Sequence, residues 1–571
     1  MSPQKIRSKE IAISYTFLRK VALIYITLPL FCFLLGWLKN YLAIPACLAI
    51  LVGLFFAFRE PKKEEREAIR MPRFMPAVIV LSSFLYAFFC GIGRLWAQSK
   101  DYPWRNAIFR DLILRDWPVM YPKYKGALVY YIGQWLPAAL PGKLAKLFGA
   151  GDDIAFFVGN IALLIYITAG LSILFLLLFA YFKPGKKGAM ILIILSFIFF
   201  SGMDIVASIE PLGANNYHLE WWARDYQYSS FTTCMCWVFN QALIPWICMA
   251  LLMKEKDVSQ YILIGMACLL SGPFPFVGFF VYALTFGVMK LVSAVGNKKT
   301  TDFIKALFSP SNILATLLIF PFIGTYLLSN AALSGAGGLT ASNAVSKVGE
   351  TVVSVSTETG STEAATGIGE AIWTYVKFIL LEFGVYAILV AGKYKKRPEF
   401  YVTIIMLMAF PFLRIGYSSD FTMRASIPAL FMIYIFCWKY LFEEKNEILI
   451  NGEGIVATGS KKVVAVKNSA TDPDKEKKIS TASNKGWDIK KLKRYGYALL
   501  VICMILGAAT PTVEFIRGFR QVSMRGIDDK MTDFLYTLGG DGPYSREDSW
   551  PETNFVALDL DNQVFFKYFA K

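Results

Sequence analysis

Charge is scarce in this sequence. Only 18% of its 571 residues are Asp, Glu, Lys or Arg, while 56% are hydrophobic and 16% aromatic. Mean hydropathy is +0.47. That shortage excludes an ordinary soluble globular chain of this length. Many apolar runs instead approach the ~20 residues that cross a bilayer. Histidine is nearly absent, with His218 standing alone. A disulfide or zinc framework is missing as well. Of the nine cysteines, Cys32, Cys47, Cys90, Cys248, Cys268, Cys437 and Cys503 lie inside apolar runs and read as small buried hydrophobes. Cys234 and Cys236 are too close for ordinary bridging and lack a second pair to complete a zinc site. No small-residue cleavage site follows the first apolar run, so that run reads as a retained helix. No internal inverted repeat is evident.

What remains is an all-α polytopic membrane protein. Its net charge of +17 would suit a nucleic-acid partner, but the lysines and arginines cluster in short loops between apolar runs. The positive-inside tendency of membrane proteins accounts for that pattern, and no nucleic acid is implied. Residues 1–73 form an N-terminal helical hairpin with cytoplasmic ends, with spans near 21–38 and 41–58. Residues 74–442 form the transmembrane core. Its spans fall near 74–96, 154–182, 188–207 and 231–253, in two short helices within 261–292, and near 309–329, 371–392, 399–415 and 425–442. The motif SGPFPF interrupts 261–292, because proline cannot continue a helix there. Exoplasmic loops occupy 97–153, 208–230 and 330–370. Residues 443–494, rich in lysine, read as a disordered cytoplasmic linker. Residues 495–571 hold a last span near 496–512 and a short exoplasmic tail. The expected count is thirteen transmembrane helices in a cell-membrane protein, N-terminus cytoplasmic and C-terminus outside.

The stretch 100–149 is the first long loop. Asp101, Asp111 and Asp116 sit in it among Arg105, Arg110 and Arg115, interleaved with Tyr102, Trp104, Phe109, Trp117, Tyr121 and Tyr124. A spacing of four pairs Asp111 with Arg115 on a helix. Two readings stand side by side: a catalytic loop, or a short helix lying at the membrane–water interface with carboxylates neutralising arginines.

Three more constellations face the same outer side. In Tyr217-His218-Leu219-Glu220-Trp221-Trp222, alternate residues of an extended segment point the same way, so His218 and Glu220 are candidate ligands for a divalent metal. The alternative is that His218 caps a helix or bonds nearby backbone. Asn240 and Gln241 lie inside an apolar span, where amides must be paired. They either bond neighbouring helices or bind a hydroxyl-rich ligand, and Asp204 poses the same question. Arg414 and the run Ser418-Ser419-Asp420-Phe421-Thr422-Met423-Arg424 form the third group. Asp420 and Arg424 are a helical pair at a spacing of four. An arginine fork matches phosphate oxygens, so Arg414 and Arg424 are candidates for a lipid-linked phosphate, or for an internal ion pair.

This order of features resembles the GT-C superfamily of polytopic glycosyltransferases. Asp111 and Asp116 precede YPKYKGALVYYIGQWLPAALPGKLAKLFG, which looks like that family's Pro-aromatic run. SGPFPFVGFFVYAL is similar to its proline-broken helix pair, and GYSSDFTMRASIPAL to the outer end of a late span with a donor-phosphate arginine. The likeness covers roughly 100–442. Departures are two extra spans before the acidic loop, the adjacent acidic pair Asp152-Asp153 coming after the Pro-aromatic run, and an outer C-terminal part of only about 60 residues. The resemblance implies transfer of a sugar from a polyprenyl-phosphate donor to a cell-envelope acceptor on the outer face. Asp111 or Asp116 would be the general base, and Arg424 or Arg414 would bind the donor phosphate. Glu220, Trp221, Trp222, Asn240 and Gln241 would line the substrate site. The competing class is a transporter or flippase of a lipid-linked sugar.

Overall fold

The computed structural model describes residues 10–59, 67–208, 218–223, 226–334, 368–413, 420–452, 489–526, 536–539 and 553–571. Arg414, Ser418 and Ser419, most of the loop 330–370 and the middle of 443–494 therefore lie outside the described residues. Helices dominate, because a backbone in hydrocarbon must satisfy its own N–H and C=O groups.

Among the described residues, eight stretches are long and apolar enough to cross a membrane. The first two are α1 (Tyr15–Trp37) and α2 (Asn40–Phe58), joined by a tight turn. After α3 (Met75–Phe89), α4 (Tyr102–Leu114) and α5 (Leu136–Leu147) fill the long loop. The 31-residue α6 (Asp152–Phe182) follows, then α7 (Lys187–Ile198) and α8 (Phe231–Lys254). Next come α9 (Tyr261–Ser271) and α10 (Pro273–Gly296), parted at Gly272 as the prolines of SGPFPF require. The expected span near 309–329 is more broken than its hydropathy shows. An amphipathic α11 (Thr300–Leu307) precedes α12 (Pro310–Leu318) and α13 (Phe320–Leu328), and the break falls at Ile319, two residues before Pro321.

The later helices are α14 (Ile368–Ile379), α15 (Val385–Tyr394), α16 (Pro398–Ala409), α17 (Asp420–Ala425), α18 (Ile427–Gly452), α19 (Ile489–Gly507) and α20 (Ala509–Arg525). A π-helical turn, Leu380–Gly384, links α14 to α15. Two expectations are corrected here. Helix α18 runs ten residues past the expected boundary at 442, since EEKNEILING continues a helical pattern. The last helical stretch also extends beyond 512, through α20.

Contacts sort the connections onto two ends of the bundle. At one end β1 (Glu10–Ser14) pairs antiparallel with β2 (Ala68–Pro72), from Glu10↔Pro72 to Ser14↔Ala68. Arg19 bonds Glu255 at 2.7 Å there, and Lys254 bonds Glu67 at 3.0 Å. At the other end β3 (Met120–Tyr121), β4 (Gly126–Leu128) and β5 (Val556–Ala557) form a small sheet, so the C-terminal tail adds a strand to the long loop. The tail also closes on the α1–α2 turn, where the Lys39 N–H donates to Phe569 O at 2.9 Å and the Lys571 N–H donates to Trp37 O at 3.0 Å.

Helix α8 is the centre of the bundle, with 89% of its apolar window buried. Helix α10 is peripheral at 17%, and exposes Leu284, Val288, Val292 and Val295. Such a face suits lipid. All nine cysteines are free and buried, as their apolar settings require.

Candidate functional site

Helix α4 is packed inside the protein, and its carboxylates pair with its arginines. Eleven of its thirteen residues are buried, among them Arg105, Arg110 and Asp111. Asp111 has no exposed surface. Its Oδ1 accepts from Arg115 Nε at 2.9 Å, the expected pairing at a spacing of four. Its Oδ2 accepts from the Tyr121 hydroxyl at 2.9 Å and from the Leu538 N–H at 3.0 Å. Three of the roughly four acceptor directions of a carboxylate are thus occupied. Burial pushes the Asp111 carboxyl above its ordinary range, while Arg115, Tyr121 and Leu538 pull it back. Arg110 reinforces the same junction. Its guanidinium lies 3.9 Å from the Phe156 ring and 4.1 Å from the Tyr536 ring, and Nη1 donates to Tyr536 O at 2.8 Å. Asp116 is exposed, before a cis Trp117–Pro118 bond.

A different acidic–basic cluster lies at the start of α4. Arg105 Nη2 bonds Asp101 Oδ2 at 3.0 Å, and its Nη1 is buried with no protein partner. Arg424 Nη1 bonds Asp420 Oδ2 at 2.8 Å, and its buried Nε has no partner among the described residues. Arg105 is 5% exposed and Arg424 8%. Tyr130 and Tyr131 stack with centroids 4.0 Å apart between them. Both tyrosines feel the charges of Arg424, Arg105 and Asp420, and burial raises both phenols, so they remain neutral donors. Phe274, at the head of α10, packs 6.4 Å from Tyr131 and 5.5 Å from Phe421. On the α4 side a small cavity is lined by Gln98, Tyr102, Arg105, Asn106, Trp135 and Phe239. The loop, the broken helix pair and the late span therefore meet at one place. The sequence reading placed Asp101 and Arg105 in this loop without pairing them, although the spacing of four that marks Asp111 and Arg115 marks them equally.

Glu220 is fully buried in the turn Leu219–Ala223. It accepts from Gln227 Nε2 at 3.0 Å and from the Ser230 N–H at 2.9 Å. Ser230 in turn caps α8 by accepting from the Thr233 N–H at 2.9 Å. Burial, helped by the nearby Asp204 charge, pushes Glu220 up to about 8. Trp222 Nε1 donates to Asp204 Oδ1 at 3.1 Å, whereas Trp221 is half-exposed against the His218 ring. His218 Nδ1 lies 3.2 Å from Glu514 Oε1 in a geometry that makes no hydrogen bond. Burial, with Arg517 and Lys100 acting the same way, lowers His218 to about 3, so the ring is neutral. Glu514 also receives Trp237 Nε1 and Arg517. His218 and Glu220 thus face different groups, Glu514 for the one and Gln227 and Ser230 for the other. Among the described residues no group of three or more His, Cys, Asp or Glu is arranged to hold a metal.

Asn240 and Gln241 are buried just past a kink in α8 at Val238, and no polar atom of either amide has a protein partner. They do not bond neighbouring helices. Gln134 Oε1 and Ser271 Oγ are orphaned as well. The surroundings tie three of these side chains together: a Cβ on Gly133 would come 2.9 Å from Ser271 Oγ, and one on Gly272 would come 3.4 Å from the Gln241 Cβ.

No protein family, curated protein or solved structure matches the chain.

Proposed function

We propose that the chain is a membrane glycosyltransferase of GT-C type. It takes a sugar from a polyprenyl-phosphate donor and transfers it to a cell-envelope acceptor on the outer face. The five shorter apolar helices then count as spans beside the eight long ones, giving thirteen with the N-terminus inside and the C-terminus outside. That count is consistent with the loop 97–153, the α1–α2 turn and the C-terminal tail all meeting at one end of the bundle.

The observation that carries the reading is the pair Arg105 and Arg424. Each is buried, each is held by one carboxylate, and each keeps a guanidinium nitrogen unpaired beside stacked tyrosines. Unpaired buried donors call for an anionic acceptor, and a guanidinium fork fits phosphate oxygens. In this scheme the two arginines hold the donor phosphate. Asp101, half-exposed and adjacent, takes the proton from the acceptor hydroxyl. The hydroxyl oxygen bonds the anomeric carbon, the sugar–phosphate bond breaks, and the polyprenyl phosphate leaves with its charge met by Arg105 and Arg424. Asp116 is the next candidate base. Asp111 is reassigned to holding the tail, since its acceptor positions are nearly filled. Trp221 and Tyr131 offer faces for the sugar.

The test is release of labelled sugar from a polyprenyl-phosphate donor by the purified protein. Near-parental turnover in Asp101→Asn, Asp116→Asn and Asp111→Asn alike would remove the base and the proposal with it. The second reading, a transporter or flippase, is favoured by orphaned Gln241 and Ser271 beside the broken α9–α10 pair. Movement of intact lipid-linked sugar across vesicles, without sugar release, would establish it.

A further inference from the structure

Three carboxylates from distant parts of the chain, Asp204, Glu220 and Glu382, are buried together near the outer end of the bundle, at 0%, 0% and 3% exposure. None has a lysine or arginine partner among the described residues. The donors around them are neutral. Asp204 Oδ1 accepts from Trp222 Nε1 at 3.1 Å, and its Oδ2 accepts from the Thr510 hydroxyl at 2.6 Å and the Ser201 hydroxyl at 3.2 Å. Glu220 has Gln227 and the Ser230 N–H. Glu382 differs. It sits in the π-helical turn Leu380–Gly384, and its Oε1 is buried with no partner. Its Oε2 lies against the Cα of Gly202, where a Cβ would come within 2.2 Å. The approach is possible only because residue 202 has no side chain, and the Met203 N–H donates to Leu381 O at 3.0 Å, so the Asp204 and Glu382 side chains rise from adjoining backbone.

Two apposed carboxyl groups in a dry site cannot both be charged. Asp204 is the one with three donors and is therefore the acceptor. Glu382 shares only the Trp222 N–H with Asp204 and keeps an unpartnered Oε1, and therefore carries the proton. We propose that Asp204 and Glu382 form a proton-binding site, Glu382 donating an O–H hydrogen bond to the Asp204 carboxylate, and that this proton latches the turn Leu219–Ala223 to α20 and the α14–α15 bulge. The latch runs from Glu382 to Asp204, and from Asp204 to Trp222 on the turn and Thr510 on α20. Loss of the proton to solvent leaves two adjacent buried negative charges and releases it.

Other titratable or charged groups on the surrounding elements do not supply a counter-charge. Glu220, on the turn, is a third carboxyl and supplies no positive charge. Tyr228 donates to Leu407 O, and Tyr386 of α15 donates to Ser201 O and to Cys503 O. Cys503 of α19 and Cys437 of α18 are buried thiols. On α20, Arg517 is engaged with Glu514. On α14, Lys377 lies over the Trp373 ring. The site is independent of the transferase reading, since it uses none of the residues assigned to donor or base.

Infrared spectroscopy of the full chain in lipid nanodiscs tests it. The parent should show a protonated-carboxyl C=O band that disappears as pH is raised. Glu382→Gln should abolish that component, and thermal stability should then fall less on the alkaline side than in the parent. Asp204→Asn supplies an amide donor to Glu382, so its band should be lost at lower pH than in the parent; this variant decides the matter if Glu382→Gln does not fold. A parent with no protonated-carboxyl band overturns the proposal. So does a band unchanged by either substitution. Alkaline stability restored by added sodium, magnesium or calcium would also overturn it, because the site would then hold a metal cation.

Discussion

The side chain of Asp111 accepts a hydrogen bond from the backbone N–H of Leu538, 427 positions along the chain, at 3.0 Å. One carboxylate thereby joins the first long loop to the C-terminal tail, with Tyr121 and Arg115 completing its shell. Its role differs from that of Asp101, which is half-exposed and has a single ion-pair partner.

These two aspartates should separate cleanly on substitution. Asp101→Asn preserves shape and removes the basic group, so transfer should drop by about 10²–10⁴-fold while donor binding and thermal stability stay near parental. Asp111→Ala should destabilise the protein by roughly 3–5 kcal/mol, because Arg115 is left without its buried partner. Tail release, read as faster proteolysis around residues 536–539, should accompany it. A stable Asp111→Ala protein with an undisturbed tail would contradict the assignment.

If Arg105 and Arg424 hold the donor phosphate as proposed, donor binding depends on them. Arg424→Lys keeps the charge but loses the fork, so affinity for a polyprenyl-phosphate analogue should weaken, and Arg424→Ala should weaken it further. Arg105→Lys should behave similarly. Equal binding by the parent, Arg424→Ala and Arg105→Ala would move the donor site elsewhere, with Arg414 the first alternative.

Glu220 predicts a pH dependence of stability. Its carboxyl is raised from 4.5 to about 8 in the folded state. The unfolded chain therefore releases this proton at lower pH than the folded chain does. Its favourable contribution is complete below the ordinary carboxylate range and is lost progressively as pH rises toward about 8. Thermal melts across that window should fall in the parent and flatten in Glu220→Gln. A parent more stable at pH 8 than in mild acid would mean that Glu220 is ionised in the fold.

Topology can be read with thiol chemistry, since every native cysteine is buried and should give little background. A cysteine at Ser356 should react with an impermeant reagent in intact cells, and one at Ser469 should not. The reverse pattern would invert the proposed thirteen-span arrangement and, with it, the side on which the proposed sites lie.

Much of this architecture was legible in the chain. Runs of Leu, Ile, Phe and Val of bilayer length have one low-energy form in hydrocarbon, so hydropathy alone marked α1, α2, α6 and α8. Proline marked the break between α9 and α10, because its ring forbids a continuous helix. A spacing of four marked the Asp111–Arg115 and Asp420–Arg424 pairs, which depend only on helix geometry. Tertiary structure decided what lies far apart in sequence. Nothing local to Asp111 says that Leu538 will close its shell, and nothing in Glu382 says that Gly202 will let it reach Asp204. Nor does the pattern around 102–114 say that the helix is covered on nearly every side. Local periodicity fixes which helices form. Which buried charges meet is set by how those helices pack, and that is a property of the whole chain.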